Sequence, residues 1–420
     1  MPAIAKYLQH YAEPESQWLD EFTPQFNYCL AIPMYRESSE SLTYFCQFAA
    51  QQQHCLLLLV LNRPDTDNHS QWAQQLIAPL GSPDWQSSNQ LLRYHALANH
   101  SGLLVIDRCL NGPPIPQRQG VGLARKIAND IACQLIAKQQ IQRPWIANTD
   151  ADARLPEDYF SSCDTVDSTK SAAILFAYQH IAGEQDYVHT ATQLYELSLT
   201  YYVAGLSWAG SPYAYHTLGS IMAVNYKHYA QVRGFPKRAG AEDFYLLNKL
   251  AKTAAITSLQ QPSIAILSRA SSRVPFGTGP AVQQIIDSGD YAAMPFYHPA
   301  IFHYLRAGLT IIALLTHTDD INAALNSITD PAVDNALLEK ALNHFDISKA
   351  LSHTYRHGKS SQQRLQHLTV WFDAFKTLKF LHFIRDNDYP MMPYQQWVSN
   401  VQQYAFGQPL NVLRLPISKL

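Results

Sequence analysis

Two aspartates stand two positions apart, directly after an apolar run of the chain. Asp150 and Asp152 follow residues 145–149, whose composition is typical of a buried strand. In a tight turn at the end of such a strand both carboxylates can face one cleft, and their hard oxygens suit Mn²⁺ or Mg²⁺. The alternative is a loop acid followed by a helix cap ahead of Pro156, because aspartate is common in turns. The apolar strand before the pair favours the metal site.

A second acidic pair, Glu242 and Asp243, begins a stretch with helical spacing that runs to Leu250. Carboxylates at a helix start are stabilised by the helix dipole, so capping alone would explain them. The functional alternative is a general base that removes a proton from an acceptor hydroxyl. The turn-prone residues 234–236 before the pair favour a loop over a site.

Basic groups that suit an anion occur in two places. The run Gly120-Val121-Gly122 leads into a helical stretch with Arg125, and N–H groups at such a start can bind phosphate. This is not a dinucleotide fingerprint, because a proline loop precedes it and the third glycine is missing. Arg269 and Arg273 lie four positions apart among serines and glycines, which suits either an anion-binding loop or a structural one.

The elements that must position these groups are apolar strands alternating with helical stretches. Apolar runs predict strands at residues 28–33, 55–61, 102–107, 145–149, 220–224 and 263–267, and helical spacing predicts helices at 39–52, 71–77 and 123–138. This order predicts an α/β fold with a mostly parallel sheet covered by helices on both faces. Ligand sites in such sheets lie at the carboxyl ends of the strands, where the polar turn after Leu61, the glycine run and the Asp150/Asp152 pair all fall. We expect an N-terminal arm over residues 1–25, a catalytic domain over 26–285 and a helical region over 286–420.

Composition limits the classes of partner. The 420 residues carry a formal net charge of -2 and no lysine- or arginine-rich run, which argues against nucleic acid and anionic lipid. The six cysteines are scattered, without zinc-type spacing. No signal-peptide pattern is seen, and every apolar run is far shorter than the ~20 residues that span a bilayer. These features predict a cytoplasmic protein without a transmembrane segment; peripheral membrane contact stays open.

Six motifs in this order resemble family 2 glycosyltransferases, which have the GT-A fold. Their residues are Ala31–Glu37, Val60–Asp67, Gly120–Arg125, Asn148–Tyr159, Gly219-Ser220 with Val232–Phe235, and Glu242–Phe244. The resemblance covers residues 26 to 280. It departs from the family pattern at Arg36 and Lys126, where asparagine is usual.

The resemblance implies roles for individual residues. It implies that Asp150 and Asp152 hold the metal and the sugar diphosphate, and that Asp243 is the base with Glu242 beside it. The nucleoside pocket would be lined by Pro33, Tyr35, Glu37, and Asp65 or Asp67. Arg269 and Arg273 would lie on a basic loop over the diphosphate. Independently of the resemblance, the position of Arg125 and Lys126 after the glycine run suggests that they contact the nucleotide.

The expected function is therefore metal-dependent transfer of a sugar from a nucleoside-diphosphate donor to an acceptor hydroxyl, with inversion at the anomeric carbon. The sequence does not identify the acceptor. A nucleotidyltransferase on a similar sheet also needs paired acids, but it would usually carry a glycine-rich loop after the first strand, and residues 33–39 contain no glycine. A non-catalytic sugar- or nucleotide-binding protein is the alternative from another class.

Overall fold

The structure is a computed structural model that describes residues 3–183, 185–271 and 277–401. The chain separates into two compact units: one comprises residues 1–189 and 217–281, the other residues 190–216 and 282–420. Residues 3–25, which the sequence suggests as a separate arm, are part of the first unit. Within the described ranges, no helix is long and apolar enough to cross a membrane.

Ten strands form the sheet of the first unit. They are β1 Tyr28–Met34, β2 Cys55–Asn62, β3 Trp85–Gln86, β4 Leu92–Ala96, β5 Gly102–Arg108, β6 Trp145–Asn148, β7 Ala153–Arg154, β8 Ser171–Ile181, β9 Met222–Asn225 and β10 Ala255–Leu267. A short two-stranded sheet in the second unit pairs β11 Pro295–Phe296 with β12 Met392–Pro393.

Sixteen α-helices lie in the described residues. They are α1 Ala3–His10, α2 Ser39–Gln52, α3 Gln71–Ile77, α4 Gly120–Ala137, α5 Tyr159–Asp164, α6 Asp186–Trp208, α7 Tyr226–Gln231, α8 Glu242–Leu250, α9 Thr278–Ser288, α10 Ala300–Leu314, α11 Ile321–Asn326, α12 Asn335–His344, α13 Ile347–His357, α14 Ser361–Trp371, α15 Ala374–Asn387 and α16 Tyr394–Val401. The boundary expected at residues 285 and 286 falls inside α9, as does the division between the two units.

The α/β class and the helical C-terminal region expected from the sequence are confirmed, but the sheet is mixed rather than mostly parallel. Its strand order is β3-β4-β5-β2-β1-β6-β9-β8-β10-β7. Four of its pairings are parallel and five are antiparallel. The strand β9 runs antiparallel to both of its neighbours, β6 and β8. Strands β3, β4, β7 and β8 have no counterpart among the strands expected from the sequence.

The centre of the sheet consists of apolar strands that are buried on both faces. In β2, residues Cys55 to Leu61 are fully buried, and β1 and β5 show the same pattern. Helix α4 packs on β1 and β2, and 14 of its 18 residues are buried. Continuous burial leaves little freedom to the register of these strands, so the loops that leave their carboxyl ends begin at defined positions.

Candidate active site

The candidate residues gather where the strand order changes direction. From β1 the chain moves outward through β2 to β5, and it then returns to place β6 on the other side of β1. The loops that leave two neighbouring parallel strands at such a point diverge and open a crevice at their carboxyl ends. The loop after β1 carries Tyr35 and Glu37, and the loop after β6 carries Asp150 and Asp152.

Each aspartate of the Asp150/Asp152 pair contacts a different arginine. The Nη2 of Arg125 lies 2.6 Å from Oδ1 of Asp150, and the Nε of Arg269 lies 2.6 Å from Oδ2 of Asp152. Burial raises the pKa of Asp152, while Arg269 opposes that rise. The two carboxylates are close enough for Asp150 to contribute to the raised pKa of Asp152, and each stands next to a fixed positive charge.

Both arginines also bind a second carboxylate. Arg269 donates from Nη1 to Glu37, at 3.0 and 3.1 Å from its two oxygens, and so links the loop after β1 to the loop after β6. Arg125 donates from Nε to Oε1 of Glu242 at 3.0 Å, which links the start of α8 to Asp150. Acidic and basic groups from five distant chain segments thus alternate in one cluster. Arg273, expected beside Arg269, lies outside the described residues.

Arg125 is held in place by tight packing. Its side chain is 2% exposed, and a Cβ at Gly219 would lie 2.4 Å from its Nη2. Although burial alone would lower the pKa of Arg125, Asp150 and Glu242 raise it. The neighbouring Asn129 exchanges amide hydrogen bonds with Asn148 at the end of β6, at 2.7 and 3.1 Å. The sequence indicated Arg125 as a nucleotide contact but contained no signal for this double ion pair.

The two acidic residues at the start of α8 lie in different environments. Burial raises the pKa of Glu242, and the Arg125 guanidinium, whose Nε lies 3.0 Å from Oε1 of Glu242, counteracts that rise. Asp243 is half-buried and accepts a hydrogen bond from the Phe244 N–H at 2.7 Å, with no ion-pair partner in the described part of the chain. Burial and the adjacent Glu242 raise the pKa of Asp243 to about 8.

The residue before this pair is strained. Ala241 has φ 55° and ψ 19°, the left-handed conformation that costs an L-residue roughly 1–2 kcal/mol. Such conformations persist where the surrounding structure imposes them, and they cluster at functional sites. Ala241 sets the direction in which α8 begins, so the same strain orients Glu242 and Asp243.

The glycine run at the start of α4 packs against other backbone, contrary to the expectation that it lies open to a phosphate. The N–H of Gly122 donates to the carbonyl of Arg238 at 3.0 Å. A Cβ at Gly122 would meet the backbone of residues 236 and 238 at 2.5 to 2.7 Å, and one at Gly120 would meet Ala239. The glycines let α4 approach the segment that leads to α8. Lys126 points into the fold, where its Nζ lies 2.8 Å from Asp130.

The residues expected to line a nucleoside pocket lie in two groups. Asp67 accepts from the Tyr35 hydroxyl at 2.8 Å and pairs with Arg36 at 2.9 Å. Burial alone would raise the pKa of Asp67, but the hydrogen bonds from His69, Tyr35 and Arg36 outweigh it and lower that pKa to about 2. Asp67 thus fixes the turn after β1 to the loop after β2, and Arg36, the departure from the family pattern, is its partner.

The remaining two residues expected to line the nucleoside pocket make structural contacts. Asp65 is exposed and accepts from the Gln117 N–H at 2.9 Å, which attaches the loop after β2 to the proline-rich loop. Pro33 is buried inside β1. Beside them, the side-chain oxygen of Asn62 at the end of β2 is buried without a hydrogen-bond partner among the described residues, and so is the hydroxyl of Thr149 beside Asp150. Unpaired polar atoms of this kind are expected where a ligand belongs.

The donor set suits a hard divalent cation in part. Four carboxylates surround two arginines, an excess of two negative charges before Asp243 is counted. Carboxylate oxygens and this excess charge fit Mn²⁺ or Mg²⁺, which commonly keep water and phosphate ligands beside one or two protein carboxylates. Within the described ranges, no three His, Cys, Asp or Glu side chains form a complete shell. Asp150 and Asp152 would therefore supply only part of it.

Comparison with known proteins adds no family assignment: no family model matches the chain, and no match was found among curated proteins.

Proposed function

We propose that the chain is a glycosyltransferase of the GT-A type, which moves a sugar from a nucleoside-diphosphate donor to an acceptor hydroxyl. The observation that carries the proposal is the convergence of acids from the loop after β1, the loop after β6 and the start of α8 at the switch point of the sheet. Two buried or half-buried arginines join them. An acidic cleft of this kind can take up a cation and a diphosphate together.

The side chains of the chain divide the chemistry between them. Asp243 is the group available to accept the acceptor's proton, because it has no ion-pair partner in the described residues, whereas Glu242 is held by Arg125. A base works best when its pKa lies near the working pH, and the raised pKa of Asp243 meets that condition. If Asp243 takes the proton on the face of the sugar opposite the leaving diphosphate, as this proposal requires, the attack inverts the anomeric carbon.

The leaving group is an anion, so charge grows on the diphosphate as the glycosidic bond breaks. Arg269, 34% exposed and bound to Glu37 and Asp152, is the cation nearest to solvent in the cluster and is placed to contact that charge. A Mn²⁺ or Mg²⁺ ion at Asp150 and Asp152, when bound, would supply further stabilisation of the leaving oxygens. Arg125 contributes indirectly, because it fixes the positions of Asp150 and Glu242.

The proposal is tested by incubating the protein with a panel of UDP- and GDP-sugars, with and without Mn²⁺. We expect slow release of the nucleoside diphosphate and free sugar, dependent on the cation, even without an acceptor. Asp243→Asn should still bind the donor, seen as a thermal shift, but should lose turnover. The matched control Asp319→Asn changes an exposed acid of the second unit and should leave turnover unchanged.

The two alternative functions, nucleotidyl transfer and binding without catalysis, would give different results. A nucleotidyltransferase would release pyrophosphate from a nucleoside triphosphate and a sugar phosphate. A binding protein would show the thermal shift without any product, whichever acceptor is added. Unchanged turnover in Asp243→Asn would remove the base assignment while leaving the transferase class standing.

A further inference from the structure

An apolar groove lies on the first unit, between α2 and the segment that follows α3. It encloses about 330 Å³ and is lined by one face of α2, by apolar residues of the segment 76–80 and by the loop after β4. The lining side chains include Leu42, Cys46, Leu76, Leu80 and Leu97. We propose that this groove binds the hydrocarbon chain of an amphiphilic acceptor, an inference about the substrate class that rests on the proposed glycosyl transfer.

The lining residues of α2 form one continuous stripe. They stand at positions 39, 42, 43, 46, 47 and 50, and residues with this spacing share one face of a helix. At 1.5 Å per residue the stripe is about 16 Å long. The groove therefore follows the axis of α2, which suits an extended chain better than a compact ring system.

The chemistry of the lining calls for an apolar ligand. None of the eleven described residues that line the groove carries a charge, and Leu42 and Leu76 are buried beneath it. Burial raises the pKa of Cys46 to about 11, so its thiol stays neutral at physiological pH. The polar lining residues are exposed, namely Ser39, Thr43 and Gln47. A hydrocarbon chain fits such a lining because it leaves no buried polar group without a partner.

The size of the groove argues against a folded partner. Stable protein–protein interfaces use about 20–30 residues on each side, whereas eleven residues line this groove. Its volume of about 330 Å³ lies at the lower end of the range of about 300–1,000 Å³ that is usual for small-molecule sites. The occupant that fits is therefore one chain of a small amphiphile rather than the surface of another protein.

The groove begins beside the candidate active site. Its first lining residue, Ser39, starts α2 and stands two positions after Glu37, which accepts hydrogen bonds from Arg269. From there the stripe on α2 runs away from the loop after β1, as far as Ala50. An acceptor whose chain lies along α2 therefore has its polar head on the side of Glu37, where the acids of the site converge.

Titration calorimetry of the full chain with n-alkyl β-D-glucosides, from methyl to octyl and below micelle-forming concentrations, tests the groove without any sugar donor. The affinity should rise about fourfold per added methylene, which corresponds to about 0.8 kcal/mol, until the chain fills the groove. Cys46→Phe places a larger side chain in the groove and should weaken binding of octyl glucoside about tenfold or more, as if roughly two methylenes were lost. Leu80→Gln should weaken it as well. The control Gln75→Phe, at an exposed position of α3 outside the lining, should bind as the unaltered chain does.

Three results would overturn the proposal. The first is an affinity that does not depend on chain length in the unaltered protein, which needs no variant to fold. The second is unchanged binding of octyl glucoside in Cys46→Phe and Leu80→Gln, with circular dichroism showing that both remain folded. The third is a dimer in sedimentation velocity that Cys46→Phe disrupts while alkyl glucosides do not bind, which would assign the groove to a second copy of the chain.

Transfer to the same glucosides separates the groove from the proposed function. With a UDP- or GDP-sugar that the protein hydrolyses, KM for the alkyl glucoside should fall with chain length while kcat stays the same, because the chain binds equally well in the ground and transition states. Binding of the chain without this trend in KM would overturn its role in the acceptor. If no nucleotide sugar is consumed, glycosyl transfer and the acceptor role both fail, and calorimetry alone decides whether the groove binds alkyl chains.

Discussion

Replacement of Arg125 with methionine tests whether one buried guanidinium holds the acidic segments together. The side chain of Arg125 is 2% exposed and that of its partner Glu242 is 6% exposed. Removing one member of a buried ion pair typically costs about 3–5 kcal/mol, because the other charge stays buried alone. Asp150 is 34% exposed, so water screens its charge, and its loss of Arg125 adds nothing to the expected loss in unfolding free energy. The expected loss in the free energy of unfolding of Arg125→Met is therefore about 3–5 kcal/mol.

A double-mutant cycle separates the ion pair from simple loss of packing. In urea unfolding followed by circular dichroism, Arg125→Met/Glu242→Gln should be more stable than Arg125→Met, since the second change removes the unpaired charge. The coupling between the two changes should reach about 2 kcal/mol, within the range for groups in direct contact. Nucleotide-sugar turnover should not recover in the double variant, because Asp150 still lacks the arginine that positions it.

Two results would refute this reasoning. A loss below about 1 kcal/mol in Arg125→Met would show that Glu242 is protonated or solvated rather than ion-paired. Additive effects in the cycle, within roughly 0.5 kcal/mol, would show that the contact between the two side chains contributes nothing specific.

Three further predictions concern neighbouring positions. The pKa of Asp243 is about 8 in the fold against 3.8 ordinarily, so protonated Asp243 stabilises the fold. This contribution is complete below about pH 4 and is lost as the pH rises through 8. Without added metal, the resulting decline in stability of at least about 2 kcal/mol should be absent from Asp243→Asn in melting curves taken from about pH 4 to 9. Gly219→Ala should displace the Arg125 guanidinium, lower the unfolding free energy by about 1–3 kcal/mol in urea and also reduce turnover. The control Gly308→Ala, where the nearest atom to the new Cβ would lie at 3.5 Å, should be neutral or stabilising. Ala241→Gly relieves a left-handed φ and should raise the unfolding free energy by up to about 1 kcal/mol in the same assay, and Ala241→Val should lower it.

The central elements could be predicted from the sequence because their information is local. Continuous apolar runs predicted β1, β2, β5 and β6 with ends that differ by a residue or less, and helical spacing predicted α2, α3 and α8 with the observed bounds. The sequence suggested a mostly parallel sheet and contained no signal for the antiparallel pairings outside the central four strands. Whether β9 runs parallel or antiparallel to β6 depends on where the long segment between them returns, and no short window of sequence contains that information.

The glycines at the start of α4 show how local pattern and tertiary role can differ. A glycine pair before a helix indicates phosphate binding when a strand precedes it, but it equally suits any close approach of backbone to backbone. Contact with residues 236–239 decided between the two, and those residues lie more than 100 positions further along the chain. The same contact brings the start of α8 to the cleft.

The sequence by itself determined which chemical groups the site contains and where each stands relative to its own strand or helix: the Asp150/Asp152 pair after β6, the Glu242/Asp243 pair at the start of α8, and arginines nearby. Only the tertiary structure decided which charge meets which. Arg125 and Glu242 are 117 residues apart, and Arg269 and Glu37 are 232 apart. Ion pairs over such separations depend on how the whole sheet closes, whereas spacing along one element depends only on its own periodicity. The family resemblance alone already suggested Asp243 as the base; what only the folded chain reveals is that Arg125 holds Glu242, while Asp243 has no ion-pair partner among the described residues.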